Sequence, residues 1–149
     1  MIRKAREDEL EEILDIWLVT NIKTHDFIEE SYWQSNLDYV RKELPKADLF
    51  VFDREGEIAG FIGIVEGFIG GIFIAEKWQS KGIGKQLLDY SKEKYDSLTL
   101  EVYAKNLKAY LFYLNNGFEV IEKSTYDPVS EEEYTMKWEK DKTIIKAED

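Results

Sequence analysis

The sequence predicts a single α/β domain in which about seven strands form one mixed sheet, with four helices packed on its faces. Apolar residues recur at three- and four-residue steps in four segments, which predicts the helices. Runs rich in β-branched and aromatic residues lie between those segments and predict the strands. With 44% hydrophobic and 14% aromatic residues in 149 positions, the chain can bury a core, so a disordered protein is excluded.

The first half of the chain predicts a strand, two helices and then three strands. Residues 2–5 form the first strand. The first helix runs from Glu7 to about His25 and the second covers Ile28–Leu44, where Pro45 ends it. The next strands cover 49–52, 58–67 and 68–75. The paired glycines of "FIGGIFIA" indicate a turn or bulge within the last of them.

The second half predicts two more helices and three strands. The third helix covers Ile83–Tyr95, a strand covers 97–103, and a helix over Asn106–Asn116 stops at Gly117 in a left-handed conformation. The closing strands "FEVIEKSTY" and "EEYTMKW" are joined through "DPVSE". The unit 70–103 predicts a parallel, right-handed crossover. We expect the domain to span residues 1–140 and residues 141–149 to be a flexible tail.

Charge and composition exclude several classes of function. A net charge of −11 argues against nucleic-acid binding and suits a cationic substrate such as an amine. The absence of cysteine excludes disulfides, cysteine–zinc sites and a thiol nucleophile, and we expect no metal site. No apolar run is long enough to span a bilayer, and the acidic N-terminus does not resemble a signal peptide. We therefore expect a cytoplasmic protein with no membrane partner.

One stretch runs against this acidity. Residues 77–108 hold seven lysines and four acids, a net charge of +3, so the remaining residues sum to −14. Within it, "WQSKGIGKQLL" places Lys81 and Lys85 around Gly82 and Gly84 where a helix begins. Unpaired N–H groups, the helix dipole and bare glycine backbone at such a corner predict a phosphate or pyrophosphate cradle.

The corner does not match two common phosphate-binding motifs. A P-loop needs Ser or Thr after Gly84-Lys85, where this chain has Gln86. A dinucleotide fingerprint needs a third glycine or an alanine where this chain has Leu87. The remaining pattern is Q-x-x-G-x-G, from Gln79 to Gly84. By itself it is also compatible with a loop that only turns into a helix.

A second motif follows in "NLKAYLFYLNNGFEV". Asn106 and Tyr113 are seven residues apart, which is nearly two helical turns, so they share a face and could flank one extended ligand. Asn106 could equally be a plain N-cap and Tyr113 a core aromatic.

Together, Q-x-x-G-x-G after a strand and N-x-x-A-x-x-x-Y-x-x-x-G-F some way downstream resemble the GCN5-related N-acetyltransferases (GNAT), over nearly the whole chain. "THDF" at 24–27 further resembles a subgroup of small bacterial members. The resemblance implies acetyl-CoA as co-substrate and direct transfer of the acetyl group to a primary amine. The acceptor would be a small molecule, a protein lysine or an N-terminus. A homodimer is common in the family, but no residue here fixes it.

The resemblance also implies roles for individual residues. The backbone of Phe73 and Ile74 would bond the pantetheine arm between two splayed strands, 70–75 and 97–103, and Ile74 N–H would polarise the thioester carbonyl. Asn106 would bond the pantetheine, Ala109 belongs to the same motif, and Tyr113 would protonate the leaving thiolate. The backbone N–H groups that would hold the pyrophosphate are those of Gln79, Ser80, Lys81, Gly82, Ile83, Gly84 and Lys85.

The sequence leaves the general base and the acceptor site open. His25 titrates near neutrality and is one candidate for the base; Glu66, Glu101 or a relaying water are the others. Trp33, Tyr103 and Tyr110 are candidates to line the acceptor tunnel, and Trp78 to support the glycine corner. Two other functions remain possible at this point: a non-catalytic acyl-CoA sensor, and a different enzyme acting on a phosphate-bearing ligand.

Overall fold

The computed structural model describes residues 1–126 and 128–140. In this part of the chain seven strands form one mixed sheet in the order β1-β2-β3-β4-β5-β7-β6. The strands are β1 Ile2–Lys4, β2 Asp48–Arg54, β3 Glu57–Val65, β4 Phe68–Ile74, β5 Ser97–Tyr103, β6 Glu119–Tyr126 and β7 Glu131–Glu139. The helices are α1 Leu10–Thr24, α2 Glu30–Glu43, α3 Ile83–Lys92 and α4 Leu107–Asn115. The predicted fold class and element order are confirmed.

Several predicted helix boundaries were wrong. A 3₁₀ turn, Glu7–Glu9, precedes α1, and α2 begins two residues later than expected, at Glu30. Pro45 lies inside a 3₁₀ turn, Leu44–Lys46, where a residue without an N–H is tolerated. The third helix ends at Lys92 rather than Tyr95, and Lys94 N–H donates to Ser91 O in a 3₁₀-type bond that closes the last turn. The expected tail, 141–149, lies outside the described residues.

The sheet is weakly joined at its centre. β1 to β4 pair antiparallel, as do β5, β7 and β6. The parallel pair β4–β5 has only two Cα partners, Phe68 with Thr99 and Ile69 with Leu100. Gly70 is left without a partner in β3, which confirms the bulge expected from the paired glycines. Beyond the bulge β4 and β5 diverge, as the resemblance implied.

The core lies on both faces of the sheet. The larger cluster packs Ile83, Leu87 and Leu88 of α3 against buried residues of both halves of the sheet, such as Ile62 and Leu100. The smaller cluster packs α1 through Ile13 on the other face. The α3 cluster therefore joins the two halves of the sheet where the strands separate, whereas the α1 cluster packs on the first half. Among the described residues, no helix is long and apolar enough to cross a membrane.

Candidate active site

A cleft of about 660 Å³ opens where β4 and β5 diverge. It reaches the glycine corner at the start of α3 and the inner face of α4, including Tyr113. It also reaches side chains of α1 and α2 and the carboxylates of β5 and β7, including Glu101. The glycine corner and the Asn106–Tyr113 motif, both singled out by the sequence, therefore line one cavity.

The backbone of β4 presents alternate residues to this cleft. Ala75 N–H donates to Ala59 O in β3 at 2.8 Å. Because antiparallel partners alternate, the backbone of Phe73 is also directed to β3, while the N–H groups of Ile72 and Ile74 face the gap. Ile74 O accepts a hydrogen bond of 2.9 Å from Gln79 Nε2, which ties the strand to the glycine corner.

Phe73 therefore differs from the role that the resemblance implies for it. Its Cα partner is Phe61 in β3, and the two rings stack at 5.1 Å between centroids. The side chain of Phe73 lines the cleft, but strand alternation directs its backbone away from the gap. Of the two residues expected to bond pantetheine through the main chain, Ile74 has the suitable orientation.

The glycine corner holds its amides open. Gly82 is the N-cap of α3 with φ +81°, and Ser80 also has a positive φ, of 63°. The first bond of the helix runs from Gln86 N–H to Gly82 O at 3.2 Å. The Gln79 N–H, which the sequence included in the cradle, donates instead to Glu76 O at 3.3 Å. Within the described part of the chain, the N–H groups from Ser80 to Lys85 donate to no protein acceptor. They form the donor set that an anionic group requires at a helix start.

Nearby acids neutralise part of the positive charge of this region. Lys85 pairs with Asp89 at 2.8 Å, and Lys105 pairs with Glu131 at 3.2 Å. The Lys85 pair is exposed on both sides, so it contributes little to stability and leaves the lysine able to exchange partners. Lys81 forms no ion pair with any described residue. The open amides are therefore the main feature of the corner.

Asn106 links α4 to the end of α1. Its Oδ1 accepts from Ala109 N–H at 3.3 Å, and its Nδ2 lies 3.2 Å from His25 Nε2. With Oδ1 occupied by the cap, Nδ2 is the donor and His25 Nε2 the acceptor, so the imidazole proton lies on Nδ1. Asn106 is both a helix cap and a support for His25, and both residues line the cleft.

His25 lies in an apolar environment. Its ring packs against Trp33, Phe27 and Tyr103, with centroids 5.3, 5.7 and 5.1 Å away. Burial lowers the pKa of His25 to about 4, opposed only by a hydrogen bond to Asn21. The imidazole is therefore neutral near pH 7, and a proton added at Nε2 would displace the bond from Asn106. These properties suit a role for His25 in the wall of the cleft better than a role as general base.

Tyr113 has the environment of a proton donor. It is 8% exposed, and its ring contacts those of Phe112 and Phe118. Burial raises its pKa well above the ordinary value, so the phenol stays protonated. Asn106 and Tyr113 line one cleft, as their spacing predicted, and Gly117 ends the helix with φ +91°.

Two carboxylates lie beside these groups, and the sequence singled out only one of them. Glu101 of β5 and Glu133 of β7 both line the cleft. Burial, and then the proximity of Glu101, raise the pKa of Glu133 to about 7. Sequence reasoning missed Glu133 because only the pairing of Tyr103 with Glu133 brings β7 to this position. Glu66 lies in the turn between β3 and β4 with φ 50° and does not line the cleft.

Aromatic side chains surround the carboxylates. Tyr32 of α2 and Tyr126 of β6 join through their hydroxyls at 2.9 Å, and Trp33 and Tyr103 line the same cavity. Tyr110, a sequence candidate, packs on Tyr134 instead, with centroids 5.1 Å apart. Trp78 lines the cleft near the glycine corner, and the Arg54 guanidinium lies 4.7 Å from the centre of its ring.

Comparison with known proteins agrees with this geometry. Residues 19–137 match the family model described as an acetyltransferase (GNAT) domain. The chain belongs to the GNAT family. The chain is accordingly an N-acetyltransferase, and the family to which it belongs uses acetyl-CoA.

Two curated relatives of this GNAT enzyme come from Escherichia coli strain K12. One, named peptidyl-lysine N-acetyltransferase YiaC, is 36% identical over 140 residues, which cover 93% of this chain and 96% of the relative. The other, peptidyl-lysine N-acetyltransferase YjaB, is 32% identical over 85% of this chain and 86% of the relative. The solution structure of apo-form YjaB from Escherichia coli superposes with a TM-score of 0.81 at 28% identity, covering 93% of this chain and 96% of that one.

Proposed function

We propose that this GNAT enzyme binds acetyl-CoA along the gap between β4 and β5 and acetylates lysine side chains of proteins. The observation that carries the proposal is the set of unbonded amides from Ser80 to Lys85, which opens into the same cleft as Tyr113. Both curated relatives are named peptidyl-lysine N-acetyltransferases, which supports a lysine acceptor.

The two halves of the coenzyme find different partners. The amides of Ser80 to Lys85 would hold the pyrophosphate, with Lys81 adding charge and Gln79 fixing the loop to Ile74 O. The pantetheine arm would run beside β4, where Ile74 N–H is directed into the gap. That donor suits the oxygen of a thioester carbonyl, on which negative charge develops during acyl transfer.

The reaction needs a base and an acid. A neutral amine attacks the carbonyl carbon, a C–N bond forms, and the C–S bond breaks. Tyr113 donates its proton to the departing sulfur and recovers one from the nitrogen. Glu101 is a better base than His25, because the imidazole is held neutral with its Nε2 already bonded to Asn106.

The acceptor part of the cleft favours a long, cationic side chain. The rings of Tyr32, Trp33 and Tyr103 supply apolar walls for an alkyl chain and faces for an ammonium group. Glu101 and Glu133 supply the opposite charge. A lysine side chain combines an alkyl stem with a charged head, and therefore fits both features.

Three peptides test the proposal by CoA release. The first carries one lysine and a blocked N-terminus, the second has arginine in its place, and the third has a free N-terminus and no lysine. We expect turnover with the first alone, and calorimetric binding of acetyl-CoA without any peptide. Turnover only with the third would show an N-terminal acetyltransferase. Binding of acetyl-CoA without turnover on any amine would show a sensor.

A further inference from the structure

The two carboxylates of the cleft are neighbours on one face of the sheet. Tyr103 is the Cα partner of Glu133, and Glu101 that of Thr135. Residues two apart along a strand share a face, so Glu101 and Glu133 are diagonal cross-strand neighbours. Both line the cleft. Glu101 is exposed, whereas Glu133 is half-buried.

No basic side chain of the described residues offsets this pair. Within residues 1–126 and 128–140, neither Glu101 nor Glu133 forms an ion pair, although Glu131 on the same strand pairs with Lys105 at 3.2 Å. Two like charges that face each other in a half-buried site destabilise the fold unless they hold a proton or a cation. Such an arrangement in a cleft is typical of a functional site.

We propose that Glu101 and Glu133 act together as one proton-sharing site that binds the lysine ammonium group and removes its first proton. This inference rests on the proposed function and adds Glu133 to its catalytic residues. The pair is a better base than a lone exposed carboxylate, because its last proton is held near neutral pH.

The lysine nitrogen loses two protons in the reaction, and each has a defined acceptor. The ammonium N–H bond breaks and an O–H bond forms on the carboxyl pair, which later releases that proton to water. The neutral amine then attacks the thioester. The second proton of the nitrogen replaces the one that Tyr113 gives to the sulfur, so the products are an amide, a thiol and one released proton.

Other titratable groups face the pair from each neighbouring element. Tyr103 belongs to β5, Tyr32 to α2 and Tyr126 to β6, and Tyr103 and Tyr32 both interact with Glu133. Glu131 of β7 adds a carboxylate, partly offset by Lys105. Burial raises the phenol pKa of Tyr32 and of Tyr103 far above neutrality, so ionisation near pH 7 belongs to the carboxyl pair.

The test compares Glu101→Gln, Glu133→Gln and the double variant by kcat/KM against pH with a lysine peptide. We expect each single variant to lose about 100-fold or more at pH 8, and the double variant to lose about as much as either, because the pair acts as a unit. The acid limb of the wild-type profile should lie near pH 7, and in Glu101→Gln it should move down by about half a unit or more.

Glu132→Gln is the matched control, since Glu132 is exposed, lies beside Glu133 and has its side chain on the opposite face of β7. It should keep the wild-type kcat/KM and the wild-type acid limb of the pH profile. The inference is overturned if Glu133→Gln leaves kcat/KM and the acid limb of its pH profile unchanged. It is also overturned if the losses of the two single variants multiply in the double variant. Acetyl-CoA affinity should stay unchanged in all variants. Absence of wild-type turnover on any amine would instead refute the proposed function.

Discussion

Tyr113 is a desolvated phenol at the inner end of α4. Its ring lies between Phe112 and Phe118, and burial keeps its proton in place well above neutral pH. A protonated phenol cannot remove the first proton of the incoming ammonium group, but it can donate to a sulfur that leaves as thiolate and only then recover a proton from the nitrogen. The local packing therefore selects one of the two roles in the proton transfers.

Replacing the hydroxyl tests this role. Tyr113→Phe should lower kcat about 100-fold or more while acetyl-CoA affinity changes little, because only the proton donor is removed. Rate and affinity would be measured by CoA release and calorimetry. Tyr110→Phe, on the same helix but packed on Tyr134, is the control and should behave as wild type. An unchanged kcat in Tyr113→Phe would rule out this assignment.

His25 makes folding stability depend on pH. Its pKa is about 4 in the folded state and near 6.5 when unfolded, so between these values the unfolded chain binds the extra proton. Stability is therefore lost as pH falls from about 6.5 towards 4, by about 2 kcal/mol at pH 5. We expect the Tm difference between pH 7 and pH 5 to be smaller in His25→Gln than in wild type.

Glu133 acts in the opposite direction and provides a comparison. Its folded pKa, about 7, lies above the ordinary value for Glu, so the folded state gains stability as pH falls through 7. The Tm loss on acidification should then be larger in Glu133→Gln than in wild type. Identical Tm differences in wild type and both variants would show that neither group is buried as described.

At the residue scale, the sequence predicted the groups that local patterns define. Spacing along one helix was enough to place Asn106 and Tyr113 in the same cleft. The role of His25 was not predictable, because its low pKa comes from aromatic rings contributed by α2 and β5. Glu133 depends on a strand pairing with Tyr103, thirty positions earlier, that no local pattern defines.

At the scale of elements, the start of α3 depends on one left-handed residue. Gly82 has φ +81°, and a Cβ there would meet no atom within 4 Å. Gly56, in the turn between β2 and β3, has φ +91° and equally open surroundings. The two positions therefore share the conformational requirement, but only Gly82 lines the cleft.

Alanine substitutions at these two glycines separate stability from binding. Each should cost about 1–2 kcal/mol of folding free energy, because a Cβ disfavours the left-handed conformation. Only Gly82→Ala should also weaken acetyl-CoA binding, by about tenfold, since it displaces amides of the corner. Tm and calorimetric Kd provide the two measurements. Equal Kd values for the two variants would show that the corner does not bind the coenzyme.

The sequence predicted the order and type of these elements better than their ends. Hydrophobic spacing and turn residues define helices and strands locally, but ends depend on tertiary contacts. Tyr95 continues the apolar spacing of α3, yet the helix ends at Lys92 and the Tyr95 hydroxyl contacts Asp48, which is far away in sequence. The bulge at Gly70 was predictable because paired glycines are a local signal.

For the whole molecule, the net charge of −11 influences which acceptors approach. An acidic protein attracts basic peptides over distances comparable to the Debye length, about 10 Å at 0.1 M salt. We expect kcat/KM for a lysine peptide with basic flanking residues to fall as NaCl rises from about 20 to about 300 mM. The same peptide with acidic flanks is the control and should gain activity. Equal salt responses would contradict electrostatic steering.

The two-partner junction between β4 and β5 has a mechanical consequence. Strands β1 to β4 form one ribbon and β5, β7 and β6 another. Among the described residues, the hydrogen-bonded backbone joins the two ribbons only at Phe68–Thr99 and Ile69–Leu100. The hydrophobic cluster between α3 and the sheet contacts both ribbons and keeps them aligned. A ligand that binds between the two ribbons would bridge them. Ligand binding should therefore stabilise the whole protein and slow amide exchange in both ribbons together.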